Sequence, residues 1–229
     1  MVKCFFIELN PLILDMSLVR NRAWTYVKNI MEEENMNVDK IESIANKHIK
    51  FSHCSDFTIY KDWMRLDEQL QIWILKAYKM SYEQAIKEIR IDDIIIGAKE
   101  LIMDMREHEV KIILLSRSSN TENILKKLRI KKYIDEVVEV DDSLSIDSEY
   151  FLDQATHYSM LPSECVYLST KQKKIIEANV AGLYTVAIGT EDFDDAKPNL
   201  VYDYIDKVKY ENLVYSFYST NKDIEDEEI

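Results

Sequence analysis

The strongest constraint on the fold is an apolar segment that ends abruptly at an acidic residue. Residues 4–7, CFFI, are uniformly apolar, and Glu8 follows them directly. A short run of this kind predicts a strand buried on both faces, as in a parallel sheet. Asn10 and Pro11 then predict a turn. Because ligands bind at the carboxyl ends of strands in open α/β sheets, Glu8 is expected at a functional edge.

Further short apolar strands alternate with helices in the second half of the chain. The strands are predicted at KIILLS (111–116), EVVEV (136–140), CVYLS (165–169) and LYTVAI (183–188). The segments between them carry apolar residues at helical spacing. This alternation requires right-handed crossover connections. It predicts an α/β, Rossmann-like three-layer core with a mainly parallel sheet that is covered on both faces.

The first strand is separated from the others by a long helical stretch, residues 17–90. We therefore predict an α/β core made of residues 1–16 and 91–217, with residues 17–90 inserted as an α-helical cap subdomain. The insertion is rich in aromatic residues, which fits either the packing of a small bundle or a surface that faces a partner. Residues 218–229 are acidic and are predicted to form a disordered tail.

Composition and charge exclude several classes of protein. The net charge of −13 and the lack of a basic block argue against nucleic acid or an anionic membrane as a partner. No apolar run approaches the roughly 18 residues of a membrane span. With three glycines in the chain, a glycine-rich phosphate cradle is excluded. Cys4, Cys54 and Cys165 are odd in number and scattered, which predicts free thiols and a cytoplasmic location.

The residues around Glu8 resemble a known motif. Their spacing is similar to the first motif of the haloacid dehalogenase superfamily, D-x-D-G-x-x-x-D, in its β-phosphoglucomutase-like branch, and the order of elements extends this resemblance over nearly the whole chain. In that family the first aspartate attacks phosphorus and the second transfers protons. Here Glu8 and Asn10 stand at these two catalytic positions, Pro11 stands at the glycine, and Asp15 is kept.

The second motif of the family is a Ser or Thr that follows the next core strand and binds phosphoryl oxygens. Ser116 matches it, and Arg117 comes next. Ser119 and Glu122 then have the spacing of a capping box at the start of a helix. A hydroxyl group beside the N–H groups of a helix favours an anion. The same residues could instead simply end a strand and cap a helix, so both interpretations stay open.

The remaining motifs are altered at their charged positions. The lysine of the third motif aligns with Ser145, and the acidic pair that holds Mg²⁺ in the family aligns with Ser169 and Thr170. Because Mg²⁺ prefers charged oxygen ligands, we expect no metal ligands at these two residues. Lys171 follows them, and we predict that its ammonium group lies near the former metal position. The predicted anion-binding residues are Ser116, Arg117, Ser145 and Lys171.

These substitutions affect the chemistry more than the fold. Glu8 could attack as a carboxylate, but its extra methylene moves the oxygen by about 1.5 Å, and displacements of about 1 Å already cost on the order of a hundredfold in rate. Asn10 has no titratable proton, so acid/base catalysis of roughly 10²–10⁴-fold is lost. We predict an inactive protein with a binding or regulatory role, without a cofactor, whose partner is a small anionic metabolite or a protein. The alternative is a weakly active, Mg²⁺-dependent phosphatase that acts on a small phosphorylated metabolite.

Overall fold

The computed structural model describes residues 1–39, 41–44, 63–140 and 146–219, and the backbone alone of residues 220–227. The chain divides into two compact units. The first consists of Met1–Asp15 and Arg90–Ile229, and the second of Met16–Ile89. Ser145, one of the predicted anion-binding residues, lies outside the described residues.

The described part of the first unit contains one sheet of six parallel strands. In chain order they are β1 (Cys4–Glu8), β2 (Lys111–Ser116), β3 (Glu136–Glu139), β4 (Cys165–Ser169), β5 (Tyr184–Ile188) and β6 (Leu200–Tyr202). Their order across the sheet is β3-β2-β1-β4-β5-β6. The predicted α/β fold with a mainly parallel sheet is therefore confirmed, and β6 is a strand that the sequence analysis did not predict.

Helices connect the strands of the first unit. Two further helices lie in the described part of the second unit. The second unit contains α1 (Met16–Glu33) and α2 (Glu68–Lys87), and the first contains α3 (Ala98–Glu107), α4 (Thr121–Lys127), α5 (Ser148–His157), α6 (Gln172–Val180) and α7 (Tyr210–Glu227). A short helical turn, Leu9–Leu12, directly follows β1. No helix among the described residues is long and apolar enough to cross a membrane.

Both faces of the sheet are covered, which explains why β1, β4 and β5 are buried at every residue. On one face, Phe6 of β1 packs with Tyr167 of β4 and Phe151 of α5 in a single apolar cluster. The ring centroids of Phe151 and Tyr167 are 4.7 Å apart. On the opposite face, the ring of Phe5 lies 6.1 Å from that of Tyr210, at the start of α7. Helices on both faces give the predicted three layers.

The C-terminal helix extends further than the sequence suggests. The acidic composition predicts a tail from residue 218, but α7 continues to Glu227. Leu213 and Phe217 are four residues apart and are both buried, so one face of the helix is anchored in the core up to this point. Because adding a residue to an existing helix is much easier than starting one, the polar residues that follow continue the same helix.

In the second unit, α1 and α2 pack against each other through an apolar face of each helix. The buried cluster contains Trp24, Val27 and Met31 of α1, Ile74 and Ala77 of α2, and also Ile41 and Trp63. Trp63 is 3% exposed. Of the two explanations for the aromatic residues of the insertion, packing within the bundle accounts for Trp24 and Trp63.

Candidate functional site at the carboxyl ends of the strands

Three of the predicted motif positions lie at the same edge of the sheet. Glu8, Ser116 and Ser169 are the last residues of β1, β2 and β4. These strands are neighbours, with β1 between β2 and β4. The three motif positions therefore lie at the ends of adjacent strands.

The carboxylate of Glu8 is buried and fully surrounded by donors. Its Oε1 accepts hydrogen bonds from the hydroxyl groups of Tyr167 and Ser169, and the bond from Ser169 is 2.9 Å long. Its Oε2 lies 2.6 Å from Nζ of Lys174. We call Glu8, Tyr167, Ser169 and Lys174 the strand-end cluster. Both carboxylate oxygens are thus engaged by the protein itself.

The alternation of side chains along β4 explains two members of this cluster. Side chains at every second residue of a strand point to the same face of the sheet. Tyr167 and Ser169 therefore share the face of Cys165, which packs in the same cluster as Cys4 and Phe6 of β1. Two residues beyond Phe6, Glu8 also points to this side. A tyrosine in an apolar strand looks like an ordinary core residue, which is why sequence analysis missed Tyr167.

The first turn of α6 provides the ammonium group. The helix begins at Gln172, and Lys174 lies within its first turn, with its side chain directed at Glu8. Lys171 is the N-cap, and its backbone N–H donates to Oγ of Ser169 over 3.1 Å. The side chain of Lys171 is exposed. The lysine that contacts Glu8 is therefore Lys174. Lys171, which the sequence analysis expects near the former metal position, lies outside the helix with extended backbone angles.

Burial and charge fix the protonation of the tyrosine. Burial, followed by the negative charge of Glu8 and the hydrogen bond between the two residues, raises the pKa of Tyr167 well above its usual value. Its hydroxyl group therefore keeps its proton and remains a donor to the carboxylate. Lys174 lies nearer to solvent, since 22% of its side chain is exposed.

The residues at the expected metal position do not fit Mg²⁺. The hydroxyl of Ser169 donates to Glu8 and accepts from Lys171. Thr170 contributes one neutral oxygen, Oγ1, which is buried without a hydrogen-bond partner. The one carboxylate of the cluster, Glu8, is ion-paired to Lys174. In the described ranges no group of three or more His, Cys, Asp or Glu residues could hold a metal ion. This donor set lacks the charged oxygens that Mg²⁺ requires, while the absence of any cofactor stays a prediction.

The hydroxyl group of Ser116 is part of a closed ring of hydrogen bonds. The backbone N–H of Ser118 donates to Oγ of Ser116 over 3.2 Å, and the hydroxyl of Thr121 donates to the carbonyl of Ser118. Since the only hydroxyl proton of Thr121 is used there, Ser116 is the donor in its 2.6 Å contact with Oγ1 of Thr121. This ring ties the end of β2 to the start of α4, which favours the structural interpretation of Ser116.

The predicted capping box at this helix is wrong. Helix α4 begins at Thr121, its N-cap is Asn120, and the side chain of Asn120 makes no capping hydrogen bond. Ser119 is exposed. The buried hydroxyl of Thr121 bonds to Ser118 and Ser116 and holds the loop in place up to Thr121. The helix therefore starts one residue later than a cap at Ser119 requires.

The other predicted residues lie at the surface. Asn10 is exposed, with extended backbone angles, in the turn after β1. Arg117 is exposed directly after β2. Burial raises the pKa of Tyr150 to about 12, and the positive charge of Arg117 acts in the opposite direction. The structure therefore brings Glu8 and Ser169 into contact and leaves Asn10, Arg117 and Lys171 facing solvent.

Comparison with known proteins supports the same fold. No family model matches the sequence. The β-phosphoglucomutase of Bacillus subtilis (strain 168) is 26% identical over 113 residues, which are 47% of this chain and 49% of that protein. The matched stretch thus spans about half the length of this curated relative.

Solved structures match over almost the full length. A β-phosphoglucomutase from Clostridium difficile has a TM-score of 0.67 at 21% identity, covering 96% of this chain and 99% of that chain. The hydrolase YfnB from Bacillus subtilis, solved bound to magnesium, has a TM-score of 0.68 at 13% identity, covering 93% and 99%. For a 2-haloacid dehalogenase from Pseudomonas syringae pv. Tomato DC3000 the TM-score is 0.64 at 12% identity, covering 94% and 99%. These likenesses, together with the parallel sheet and its strand order, show that the chain has the fold of the haloacid dehalogenase superfamily.

Proposed function

We propose that this chain is a non-catalytic protein of the haloacid dehalogenase fold, which binds a ligand at the carboxyl edge of its sheet and does not hydrolyse it. The observation that carries the proposal is the engagement of both oxygens of Glu8. Oε1 accepts two hydrogen bonds and Oε2 contacts an ammonium group. A carboxylate that attacks phosphorus must present a lone pair to it, and donors on both oxygens lower the nucleophilicity of this one.

The charge of the strand-end cluster also argues against catalysis. Phosphoryl transfer depends mainly on positive charge that stabilises the transition state. Lys174 is directed at Glu8, 2.6 Å away, so its charge neutralises the carboxylate of the protein. The ion pair of Lys174 and Glu8 has no net charge and therefore does not attract a phosphoryl group.

Two exposed cations make a small anion the favoured ligand. Lys171 follows β4 and Arg117 follows β2, on either side of β1. With neighbouring strands about 4.8 Å apart, the ends of β2 and β4 are about 10 Å apart. The long side chains of Arg117 and Lys171 are able to reach one small anion between them. The N–H groups at the start of α6 lie at the same edge and add favourable donors. A phosphorylated or carboxylated metabolite fits this surface, although the protein as a whole has a net charge of −13.

Activity is tested with p-nitrophenyl phosphate and Mg²⁺, comparing the parent protein with Glu8→Gln. We expect the turnover of both to equal the background rate. Mg²⁺-dependent turnover in the parent that disappears in Glu8→Gln would contradict the proposal and favour the weakly active phosphatase.

Binding is tested separately by titrating inorganic phosphate at low salt and following the melting temperature. Phosphate should stabilise the parent, and the effect should fall in Lys171→Ala and in Arg117→Ala. Lys126→Ala, an exposed lysine in the last turn of α4, is the matched control and should behave as the parent does. If phosphate has no effect on the parent, the ligand is not a small anion, and a protein partner becomes the better candidate.

A further inference from the structure

Two buried cysteines face each other at the opposite end of the same two strands. Cys4 is the first residue of β1 and Cys165 is the first residue of β4. They are directly paired in the parallel register. Both are completely buried, and both are free thiols. They belong neither to the strand-end cluster nor to the proposed anion site.

The register gives these thiols the separation that a disulfide bond needs. Neighbouring strands are about 4.8 Å apart, and the Cα atoms of a disulfide are usually about 4.4–6.8 Å apart. Both side chains lie in the apolar cluster on the same face of the sheet, so the sulfur atoms point in the same direction. A hydrogen bond with Cys165, followed by burial, raises the pKa of Cys4. The register and the shared face of the sheet therefore place the two thiols side by side.

The surroundings of the pair offer a route for a small oxidant. Each cysteine follows a residue at the surface end of its strand, and these two residues, Lys3 and Glu164, form an ion pair of 2.6 Å with 49% of the Lys3 side chain exposed. The Cys165 thiol donates a hydrogen bond to the backbone carbonyl of Leu161. Leu161 itself is 63% exposed. A local opening at this end of the two strands exposes both thiols to a small oxidant.

We propose that Cys4 and Cys165 form a reversible cross-strand disulfide when the protein meets a peroxide. In the first step one thiol loses its proton, and the thiolate attacks an oxygen of hydrogen peroxide. An S–O bond forms, the O–O bond breaks, and the hydroxide that leaves takes up that proton as water, which gives a sulfenic acid. In the second step the other sulfur attacks the sulfenic sulfur, the S–S bond forms, the S–O bond breaks, and a second water leaves. The two sulfurs are oxidised and hydrogen peroxide is reduced to two molecules of water. The new bond joins the strands that end at Glu8 and Ser169.

The test uses the full chain with Cys54→Ser, because Cys54 lies outside the described residues and would complicate the thiol count. After treatment with hydrogen peroxide, we expect the intact mass to fall by about 2 Da, and dithiothreitol to restore it. Peptide mapping should show a link between the Cys4 and Cys165 peptides. The same mapping on the parent chain gives the answer if the Cys54→Ser variant does not fold.

The control is Cys4→Ala in the Cys54→Ser background. It should show no loss of mass and should instead gain oxygen on Cys165, in steps of about 16 Da. The proposal is wrong if the Cys54→Ser protein keeps both thiols under peroxide. It is equally wrong if that protein gains oxygen at either cysteine without a cross-link.

Discussion

Nζ of Lys174 lies 2.6 Å from Oε2 of Glu8, although 166 positions of sequence separate the two residues. The contact joins the first turn of α6 to β1, a central strand of the sheet. Tyr167 and Ser169 hold the other oxygen of the same carboxylate. A buried charge is costly without a partner, so each member of this cluster depends energetically on the others.

Removing the ammonium group should therefore destabilise the protein. We expect Lys174→Ala to lower the free energy of unfolding by about 1–3 kcal/mol, because Glu8 then keeps two neutral donors but no counter-charge. Lys171→Ala is the matched control; it removes an exposed lysine three residues earlier and should change stability by less than about 0.5 kcal/mol. Urea denaturation measures both effects.

A double variant separates the loss of the charge pair from the loss of packing. Glu8→Gln removes the charge that Lys174→Ala leaves unpaired, so the double variant should be more stable than the sum of the two single effects implies. Additive effects would show that the ion pair between Glu8 and Lys174 is energetically unimportant.

The raised pKa of Tyr167 predicts a loss of stability at alkaline pH. An unfolded tyrosine ionises near pH 10, whereas buried Tyr167 keeps its proton beyond that point. Above about pH 10 the unfolded state therefore binds fewer protons than the folded state, and the free energy of unfolding falls as the pH rises. Tyr167→Phe should cost about 1–3 kcal/mol at pH 7, through the lost hydrogen bond to Glu8, and should make the alkaline decline shallower.

This prediction is checked by urea denaturation between pH 8 and pH 11. Tyr215→Phe, at a tyrosine that is 77% exposed, is the control and should keep the slope of the parent. A residual slope should remain in Tyr167→Phe, because burial also raises the pKa of Tyr78 and of Tyr150 to about 12. An unchanged slope in Tyr167→Phe would show that this hydroxyl ionises in the folded protein.

The hydrogen-bonded ring after β2 gives a third prediction. Thr121→Val keeps the shape of the side chain but removes the hydroxyl that bonds to Ser116 and Ser118. We expect a loss of about 1–3 kcal/mol, since the partner groups are left unsatisfied in a buried place. Thr121→Ser should retain most of the stability. Ser119→Ala should be neutral; a clear loss there, measured by thermal unfolding, would restore the capping box that the sequence suggests.

Two glycines with similar backbone angles should respond very differently to alanine. Gly97 and Gly182 have φ values of 87° and 83°, so alanine is strained at both. A Cβ atom at Gly97 would lie 2.3 Å from Cα of Asp206, whereas at Gly182 the nearest atom, in Pro162, is 3.8 Å away. We expect Gly182→Ala to cost about 1 kcal/mol and Gly97→Ala at least about 2 kcal/mol more, from steric overlap with the backbone. Chemical denaturation measures both losses of stability. Equal losses for the two variants would show that the backbone of Asp206 does not crowd position 97.

Sequence reasoning predicts the strands of the core well because their signal is local. The run KIILLS and the structural strand Lys111–Ser116 coincide, as do CVYLS and Cys165–Ser169. The edge strand Leu200–Tyr202 was missed because it has three residues, none of them buried. A strand so short and so exposed lacks the apolar run on which the prediction depends.

The candidate site was predicted only in part, for a different physical reason. The ends of β1 and β4 determine the positions of Glu8 and Ser169, and the sequence analysis predicts both strand ends correctly. Which lysine reaches the carboxylate depends on where α6 starts and how it is rotated, and no local pattern specifies that to within one turn. Tyr167 could have been found, because side chains two residues apart share a face, and its hydroxyl must have a partner when it is buried.

The position of β1 in the sheet has a consequence for how the chain folds. Its strand partners begin at Lys111 and Cys165. During synthesis the apolar strand CFFIE therefore emerges long before either partner exists, with both edges unpaired. Pairing of residues so distant in sequence is slow, and an exposed apolar strand readily associates with other chains in the meantime. Of the six strands of this sheet, β1 is thus the first to be made and among the last to be fully paired. The newly made chain is most exposed to aggregation in that interval.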